Sequence, residues 1–420
     1  MNNFKHWLLI ISRILIGIVF IYSGFVKSVD PLGSTYKFID YFNAFGTTWA
    51  NSVSFILSVI QSLAEFVIGA SLVLNLRIKL SSLGALIFML IFTPLTLYIA
   101  IASPVHDCGC FGDALVITNW QTFWKNLIIL VPTLFLFKNR HLPTNLLKAT
   151  EQWIVVAVLT IFIGIIIQFS YNHLPLIDFR PYKIGTSIPE GMEVPEGAPV
   201  DEYKSVFIYS KDGVEKEFEV SNLPDSTWTF VDARHDLIKK GYEPLIHDFT
   251  IVSTDGTEIT DIVLSNQNYY FLLVAYDLKK ASNKNIDKIN KLAAYSIEMG
   301  YSFIGLTSSG NETVDEFISE TEAIYEFYYT DETTLKTIIR SNPGLVLVKD
   351  GIIINKWHHN DIPDPSSLKH NLVQQSIAKY ESKVNTHFIY IIVLLTAFFT
   401  SLYLLKRKQI LKIKPSKRST

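Results

Sequence analysis

The sequence predicts a membrane protein in which an all-α four-helix bundle and additional transmembrane helices carry an extramembrane α/β domain. Apolar residues make up 49% of the 420 residues, whereas charged residues make up only 18%. Soluble proteins of this length rarely have such a composition. The apolar residues are concentrated in 7–170 and 388–405, while 171–385 has the composition of an ordinary globular sequence. A chain of this length accommodates two or three domains.

Long apolar segments predict six transmembrane helices. The predicted spans are Trp7–Val26, Val53–Leu74, Leu80–Ala102, Phe123–Phe137, Trp153–Phe169 and Phe388–Leu405. Each is near the roughly 20 residues that cross a hydrocarbon core about 30 Å thick. The first segment lacks a small-residue cleavage site after its apolar core, which favours an uncleaved helix over a signal peptide.

Basic residues in short flanking segments predict the orientation of these helices, because Lys and Arg are enriched on the cytoplasmic side. They all fall on one side if the six helices alternate: Lys5, Arg77, Lys79, Lys138, Arg140, Lys148, Lys406, Arg407, Lys408, Lys412, Lys414, Lys417 and Arg418. We therefore predict a multi-pass protein of the cell inner membrane with both termini in the cytoplasm. The loops 27–52 and 103–122 and the domain 171–385 would then be periplasmic.

The chain has only two cysteines, Cys108 and Cys110, and they lie together in the 103–122 loop. Thiols in an oxidising compartment can form a disulfide, and the strained ring of a Cys-X-Cys bridge would exchange readily. Lys27 and His106 would favour the thiolate if they lie close to it. Two alternatives remain, a tight structural turn and half of a metal site. A metal would need further ligands, and no metal is assigned.

Two charged residues fall within predicted helices, Arg13 in the first and Glu65 in the second. Charges at such depth are costly and usually face a protein interior or a cavity. We therefore predict an Arg13–Glu65 pair inside the bundle. The pair would either lock the two helices together or bind a polar head group or relay protons, and Arg13 alone would be able to snorkel to the surface.

Four groups of residues carry a family resemblance: Arg13-Ile-Leu-Ile-Gly17, Ser23-Gly24-Phe-Val-Lys27 with Asp30-Pro31, Glu65 with Gly69, and Asp107-Cys-Gly-Cys-Phe-Gly-Asp113. In these, residues 5–140 resemble the DoxX/MauE group of small four-helix membrane proteins. The resemblance implies disulfide or electron-transfer chemistry in the maturation of periplasmic redox proteins, as in methylamine utilisation. The four-helix shape is similar to that of DsbB and vitamin K epoxide reductase, which pass electrons from thiols to a quinone with more cysteines than this chain has. A quinone is therefore the candidate cofactor.

The sequence pattern of the extramembrane region predicts two parts, a small sheet and a larger α/β domain. Three alternating segments indicate a small antiparallel sheet: Ser205–Tyr209, Glu215–Val220 and Thr227–Val231. The strands and helices that follow have an order that resembles a thioredoxin fold of the peroxiredoxin/TlpA kind. Pro343, preceded by Asn342, matches that fold's cis-proline. The whole layout resembles a Bacteroidetes-type membrane protein with a DoxX/MauE-like domain in front of such a fold.

The chemistry of a thioredoxin is missing from this domain. Where a thioredoxin carries Cys-X-X-Cys, the strand that ends at Tyr276 is followed by Asp-Leu-Lys-Lys280. Without cysteines the domain cannot exchange thiols by itself. It is interpreted either as a retained scaffold or as a docking groove, formed by Tyr276, Asn342 and Pro343, for an extended peptide or a redox partner.

The predicted organisation has six parts. They are a DoxX/MauE-like bundle (1–145), a fifth transmembrane helix (150–172), a β-rich subdomain (173–240), a thioredoxin-like domain (241–370), a sixth transmembrane helix (386–406) and a basic cytoplasmic tail (407–420).

Two functions are compatible with this organisation. The first is thiol–disulfide exchange or electron transfer through Cys108 and Cys110, which would make the protein a membrane thiol–disulfide oxidoreductase. The alternative is a non-catalytic anchor or assembly factor whose thioredoxin-like domain binds a client. Transport along Arg13 and Glu65 is less compatible with a chain that lacks visible repeats. The expected partners are the lipid bilayer and a periplasmic thiol or client protein, and the net charge of -2 implies no nucleic-acid partner.

Overall fold

The computed structural model describes residues 3–105, 107–142, 147–239, 241–247, 249–368 and 372. Six helices make up its N-terminal part: α1 (Asn3–Val29), α2 (Pro31–Ala44), α3 (Ser54–Val73), α4 (Ile78–Ala102), α5 (Asn119–Lys138) and α6 (Ala149–Asn172). Helices α1, α3, α4 and α5 pack in a ring as a four-helix bundle, and α6 lies against α1 and α3. The predicted all-α bundle is confirmed.

Four segments are long and apolar enough to cross a membrane: Phe4–Val29, Thr48–Val73, Ile78–Ala102 and Ala149–Asn172. They correspond to the first, second, third and fifth predicted spans, so the chain is a multi-pass membrane protein. The fourth predicted span lies within α5, which completes the bundle but is not one of these four. The sixth predicted helix and the basic tail lie outside the described residues.

Glycines set the contact between α1 and α3. A Cβ added to Gly24 would lie 2.4 Å from the backbone nitrogen of Phe66, and one added to Gly69 would lie 2.6 Å from that of Ile21. Only glycine permits such close backbone approach between membrane helices. The resulting register places Glu65 beside the C-terminal half of α1.

The predicted Arg13–Glu65 pair is wrong. A Cβ on Gly17 would lie 2.6 Å from Val73, the last residue of α3. Arg13 is one turn further towards the N-terminus, so it lies beyond the end of α3. Its Nε is buried without a hydrogen-bond partner among the described residues, and Glu65 pairs with Lys27 instead.

Helix α2 lies in the segment 27–52, which the sequence predicts to be a loop. Pro31 stands in its first turn and the side chain of Asp30 caps it by accepting from the Gly33 nitrogen at 2.9 Å. Proline and a capping carboxylate are typical of a helix start. The helix packs against α3, close to the loop between α4 and α5.

A short helix, α7 (Ile188–Met192), leads to a three-stranded antiparallel sheet with the order β2-β1-β3. Its strands are β1 (Glu202–Lys211), β2 (Val214–Glu219) and β3 (Thr229–Lys239). The three segments that the alternation predicted overlap these strands.

The C-terminal part is an α/β domain with a five-stranded sheet of order β6-β5-β4-β7-β8. Its elements are α8 (Thr260–Leu264), β4 (Tyr270–Val274), α9 (Ile286–Glu298), β5 (Ser302–Thr307), α10 (Asn311–Thr321), β6 (Phe327–Tyr329), α11 (Glu332–Ile338), β7 (Gly344–Lys349) and β8 (Ile352–His358). Strands β4, β5 and β6 are parallel, and β7 and β8 are antiparallel. The Asn342–Pro343 peptide before β7 is cis. This topology is thioredoxin-like, as predicted.

The sheet of this domain is covered on both faces. All five residues of β4 are buried, and successive side chains enter opposite apolar clusters, Leu272 one and Phe271 and Leu273 the other. Alternation of this kind follows from the pleat of a strand. The domain therefore has a complete core of its own.

Candidate functional site

Cys108 and Cys110 (the Cys pair) lie in the loop between α4 and α5, residues 103–118 (the Cys loop). Their Sγ atoms are 3.2 Å apart and both thiols are free. Gly109 between them has φ +64°, in the left-handed region that glycine adopts without strain. The loop therefore bends so that the two sulfurs face each other, at a separation that a small movement converts into a disulfide bond of about 2.05 Å.

Helix α2 holds the Cys loop from outside the bundle. The ammonium of Lys37 donates to Asp107 Oδ2 at 2.7 Å, and the hydroxyl of Tyr41 donates to the carbonyl of Cys108 at 2.6 Å. A Cβ on Gly109 would lie 2.9 Å from Lys37 Cγ. The one-turn spacing of Lys37 and Tyr41 after the Asp-Pro helix start would have been the sequence signal for this contact.

A buried polar cluster supports the Cys loop from inside the bundle. Lys27 Nζ lies 2.8 Å from Glu65 Oε2, and the two side chains are only 7% and 8% exposed. The hydroxyl of Ser23 lies 2.6 Å from Glu65 Oε2 and 2.7 Å from the carbonyl oxygen of Cys110. Gln61 donates to the other carboxylate oxygen of Glu65 at 2.8 Å. The Lys27–Glu65 charges are thus paired, as buried charges must be.

A cavity joins the Cys pair to this cluster and to the interior of the bundle. Its atom-free volume, including the open solvent at its mouth, is about 850 Å³. Phe20, Phe88 and Phe92 supply aromatic walls. Its polar lining within the bundle consists of Ser23, Lys27, Gln61, Glu65, Lys125 and Asn126.

The two thiols differ in acidity. A hydrogen bond from Cys108 lowers the pKa of the Cys110 thiol to about 6; burial opposes this change, and the charges of Lys125 and Lys27 add to it. The same hydrogen bond, together with burial, raises the pKa of Cys108. Since the thiolate is the reactive form of cysteine, this difference would make Cys110 the more reactive thiol of the pair. Cys108 is also the more buried of the two, at 8% exposure.

The structure brings some predicted site residues together and separates others. Lys27 and Glu65 lie beside the Cys pair, whereas Arg13 does not. The ammonium of Lys27 is held by Glu65 and Ser23 and contacts neither sulfur directly. His106 lies outside the described residues.

The predicted groove of the thioredoxin-like domain faces α2. The hydroxyl of Tyr36 donates to that of Tyr276 at 3.2 Å. Pro343 is buried, and the amide of Asn342 donates to the carbonyl of Asp277 at 2.7 Å. The groove is therefore partly filled by the chain itself.

Comparison with known proteins gives four results, the last of which concerns the membrane bundle. Residues 203–240 match a domain of unknown function (DUF8463). No curated protein matches the chain. Among solved structures, the chain is similar to the solution structure of a protein described as a disulfide isomerase from Bacteroides thetaiotaomicron, with 16% identity over 33% of this chain and 84% of that chain and a TM-score of 0.23.

Of the predicted DoxX/MauE resemblance, the likeness to DoxX stays a prediction, whereas the likeness to MauE has direct support. Residues 5–138, which hold the four helices of the bundle, α2 and the Cys pair, match the family model of the methylamine utilisation protein MauE, so this part of the chain is MauE-like.

Proposed function

We propose that the protein is a membrane thiol–disulfide oxidoreductase in which the Cys pair exchanges electrons with a thiol protein on the periplasmic side. The observation that carries the proposal is the 3.2 Å approach of the two sulfurs at the mouth of a cavity that enters the bundle. The MauE-like match of this region supports it.

The exchange would begin at Cys110. Its thiolate attacks a disulfide of the partner and forms a mixed disulfide with one of the two partner sulfurs. The other partner sulfur leaves as a thiolate and takes up a proton. Cys108 then loses its proton and attacks Cys110 Sγ, so that the Cys108–Cys110 disulfide forms and the partner leaves as a dithiol. The reverse sequence oxidises a partner dithiol and returns the Cys pair to its reduced form.

The chemistry of the cavity lining supports a quinone as the proposed electron acceptor. The side-chain amides of Gln61 and Asn126 each make one hydrogen bond, to Glu65 and Thr96, which leaves a second N–H suited to a carbonyl oxygen. Phe20, Phe88 and Phe92 line the cavity with rings suited to a flat apolar ligand. A bound quinone would take up two electrons and two protons. Gln61 and Asn126 would hold the polar end of the site, and the aromatic walls would exclude water from it.

Exposed aromatic residues support a position of the Cys loop at the membrane surface. Trp49, Trp120 and Trp124 are 80%, 49% and 55% exposed near the end of the bundle that carries the loop. Tryptophan is enriched at the level of lipid head groups. With the basic flanks on the opposite side, this supports cytoplasmic termini in the inner membrane and a periplasmic thioredoxin-like domain.

A redox titration tests whether the Cys pair cycles. The purified full-length chain is equilibrated in glutathione buffers from reducing to oxidising, and the fraction of Cys108–Cys110 disulfide is measured by mass spectrometry after thiol alkylation. A reversible transition is expected. Thiols that stay reduced in every buffer would exclude the proposed chemistry.

A trapping experiment tests the partner. The Cys108→Ala variant keeps the nucleophile and should accumulate a mixed disulfide in intact membranes, because Cys110 then lacks the thiol that resolves it. The Cys110→Ala variant should accumulate far less, and the double variant none. Equal trapping by both single variants would contradict the assigned roles.

The double Cys→Ser variant also separates the proposal from the alternative of a non-catalytic anchor. The missing cysteines of the thioredoxin-like domain favour that alternative, because Tyr276 is followed by a short 3₁₀ turn, Leu278–Lys280, instead of a redox motif. If the double variant still supported maturation of the partner, the anchor would be the better account.

A further inference from the structure

Arg340 of the thioredoxin-like domain reaches the loop that carries the Cys pair. It lies between α11 and Pro343 and is 5% exposed. Its Nε lies 2.9 Å from Asp30 Oδ2, at the start of α2, and its Nη2 lies 3.0 Å from Asp113 Oδ2, in the Cys loop. One buried guanidinium thus joins three parts of the chain.

The position of this guanidinium is fixed from several sides. Its Nη1 donates to the carbonyl of Lys336, and its carbon lies 5.3 Å over the ring of Tyr36. A Cβ on Gly33 would lie 2.9 Å from Nη2, so the approach depends on that glycine. A planar, always charged group with two carboxylate partners suits arginine and not lysine.

The Arg340 contacts complete the attachment of the Cys loop to α2. Before the Cys pair, Asp107 is bound by Lys37 of α2. After it, Asp113 is bound to Arg340, and Arg340 is bound to Asp30 at the start of the same helix. Because both flanks of the pair are anchored to α2, loss of Arg340 would free the second flank and leave two neighbouring carboxylates without their shared cation.

We propose that Arg340 is a positioning residue for the Cys pair, through which the cysteine-free thioredoxin-like domain holds residues 107–113 in the geometry that thiol exchange requires. This inference rests on the proposed function, since it assigns the domain a part in the same reaction. It gives the domain a role that needs no cysteine and no external client.

The test compares Arg340→Gln with Arg340→Lys and the control Arg234→Gln in the full-length chain. Arg234 also pairs with a carboxylate, but it is 54% exposed on β3 and its partner, Glu217, belongs to the same small sheet. Arg340→Gln should shift the exchange equilibrium with glutathione by at least about tenfold, as expected for loss of a charged hydrogen bond. Arg340→Lys should shift the equilibrium less than Arg340→Gln does, because it keeps the positive charge. Arg234→Gln should leave the equilibrium within about twofold of wild type.

Asp113→Asn provides a second variant that leaves the Arg340–Asp30 contact in place. It should shift the equilibrium in the same direction as Arg340→Gln. If Arg340→Gln does not fold, a folded Asp113→Asn variant with the wild-type equilibrium would by itself overturn the positioning role. If both variants fold and keep the wild-type equilibrium and alkylation rates, Arg340 has no positioning role. A wild-type chain that forms no disulfide in any buffer would instead overturn the proposed function itself.

Discussion

The membrane bundle and the thioredoxin-like domain differ in which of them has a redox-type fold and which of them has the thiols. The domain has a complete two-sided core around its sheet but no cysteine. The bundle has a MauE-like sequence and carries the thiols, the buried ion pair and the cavity. A fold that is often redox-active therefore need not be the redox site, because activity depends on the residues placed on a fold.

The sharpest test of this difference substitutes one residue in the bundle and, separately, one residue in the thioredoxin-like domain. Cys110→Ser should reduce thiol exchange to the rate seen without the protein, because it removes the proposed nucleophile. Ile297→Ala, at a 62% exposed position of α9 in the other domain, should leave exchange within about twofold of wild type, as expected for a surface substitution. Both rates are measured with a model disulfide substrate. Loss of activity in Ile297→Ala, with activity retained in Cys110→Ser, would reverse the comparison.

The largest stability effect is expected at the buried ion pair of the bundle. Glu65→Ala leaves the Lys27 ammonium buried without its carboxylate and should destabilise the protein by about 3–5 kcal/mol. The control is Glu202→Ala in the exposed Lys239–Glu202 pair of the small sheet, which should cost at most about 1 kcal/mol. Denaturant unfolding in detergent measures both. Similar losses for the two variants would show that burial of the first pair has no energetic consequence.

A substitution at the contact between α1 and α3 should cause a smaller loss of stability. Gly24→Ala places a Cβ 2.4 Å from the backbone of Phe66 and should destabilise the bundle by about 1–3 kcal/mol, since α1 and α3 must separate. Gly164→Ala in α6 is a matched control because a Cβ there has nothing within 4 Å. Thermal unfolding should leave the control unchanged or slightly more stable. Equal destabilisation by both variants would argue against close α1–α3 packing.

The smallest effect is a shift in thiol acidity. The alkylation rate of Cys110 should rise with pH and reach half its maximum near the pKa of about 6. Lys125→Met should move this midpoint upwards, because it removes a positive charge that favours the thiolate. Labelling with iodoacetamide across a pH series, followed by peptide mass spectrometry, measures the midpoint. A midpoint near that of an ordinary cysteine in the unmodified chain would contradict the assigned acidity.

Some features of the site were accessible to sequence reasoning and others were not. Cys108 and Cys110 are two residues apart, so any fold keeps them together. Lys27 and Glu65 are 38 residues apart, and the sequence suggested Arg13 as the partner of Glu65 because it shows depth in the membrane but not the register between helices. That register depends on backbone contacts at Gly17, Gly24 and Gly69.

The sequence by itself determined the apolar spans, the pairing of the thiols and the absence of a redox motif in the second domain, because these are properties of short contiguous segments. Only the tertiary structure decided that α2 lies over the Cys loop and that Arg340 contacts Asp113, 227 residues away. Such contacts arise from the packing of whole elements, and the free energy of that packing is spread over many residues, none of which marks the contact in the sequence.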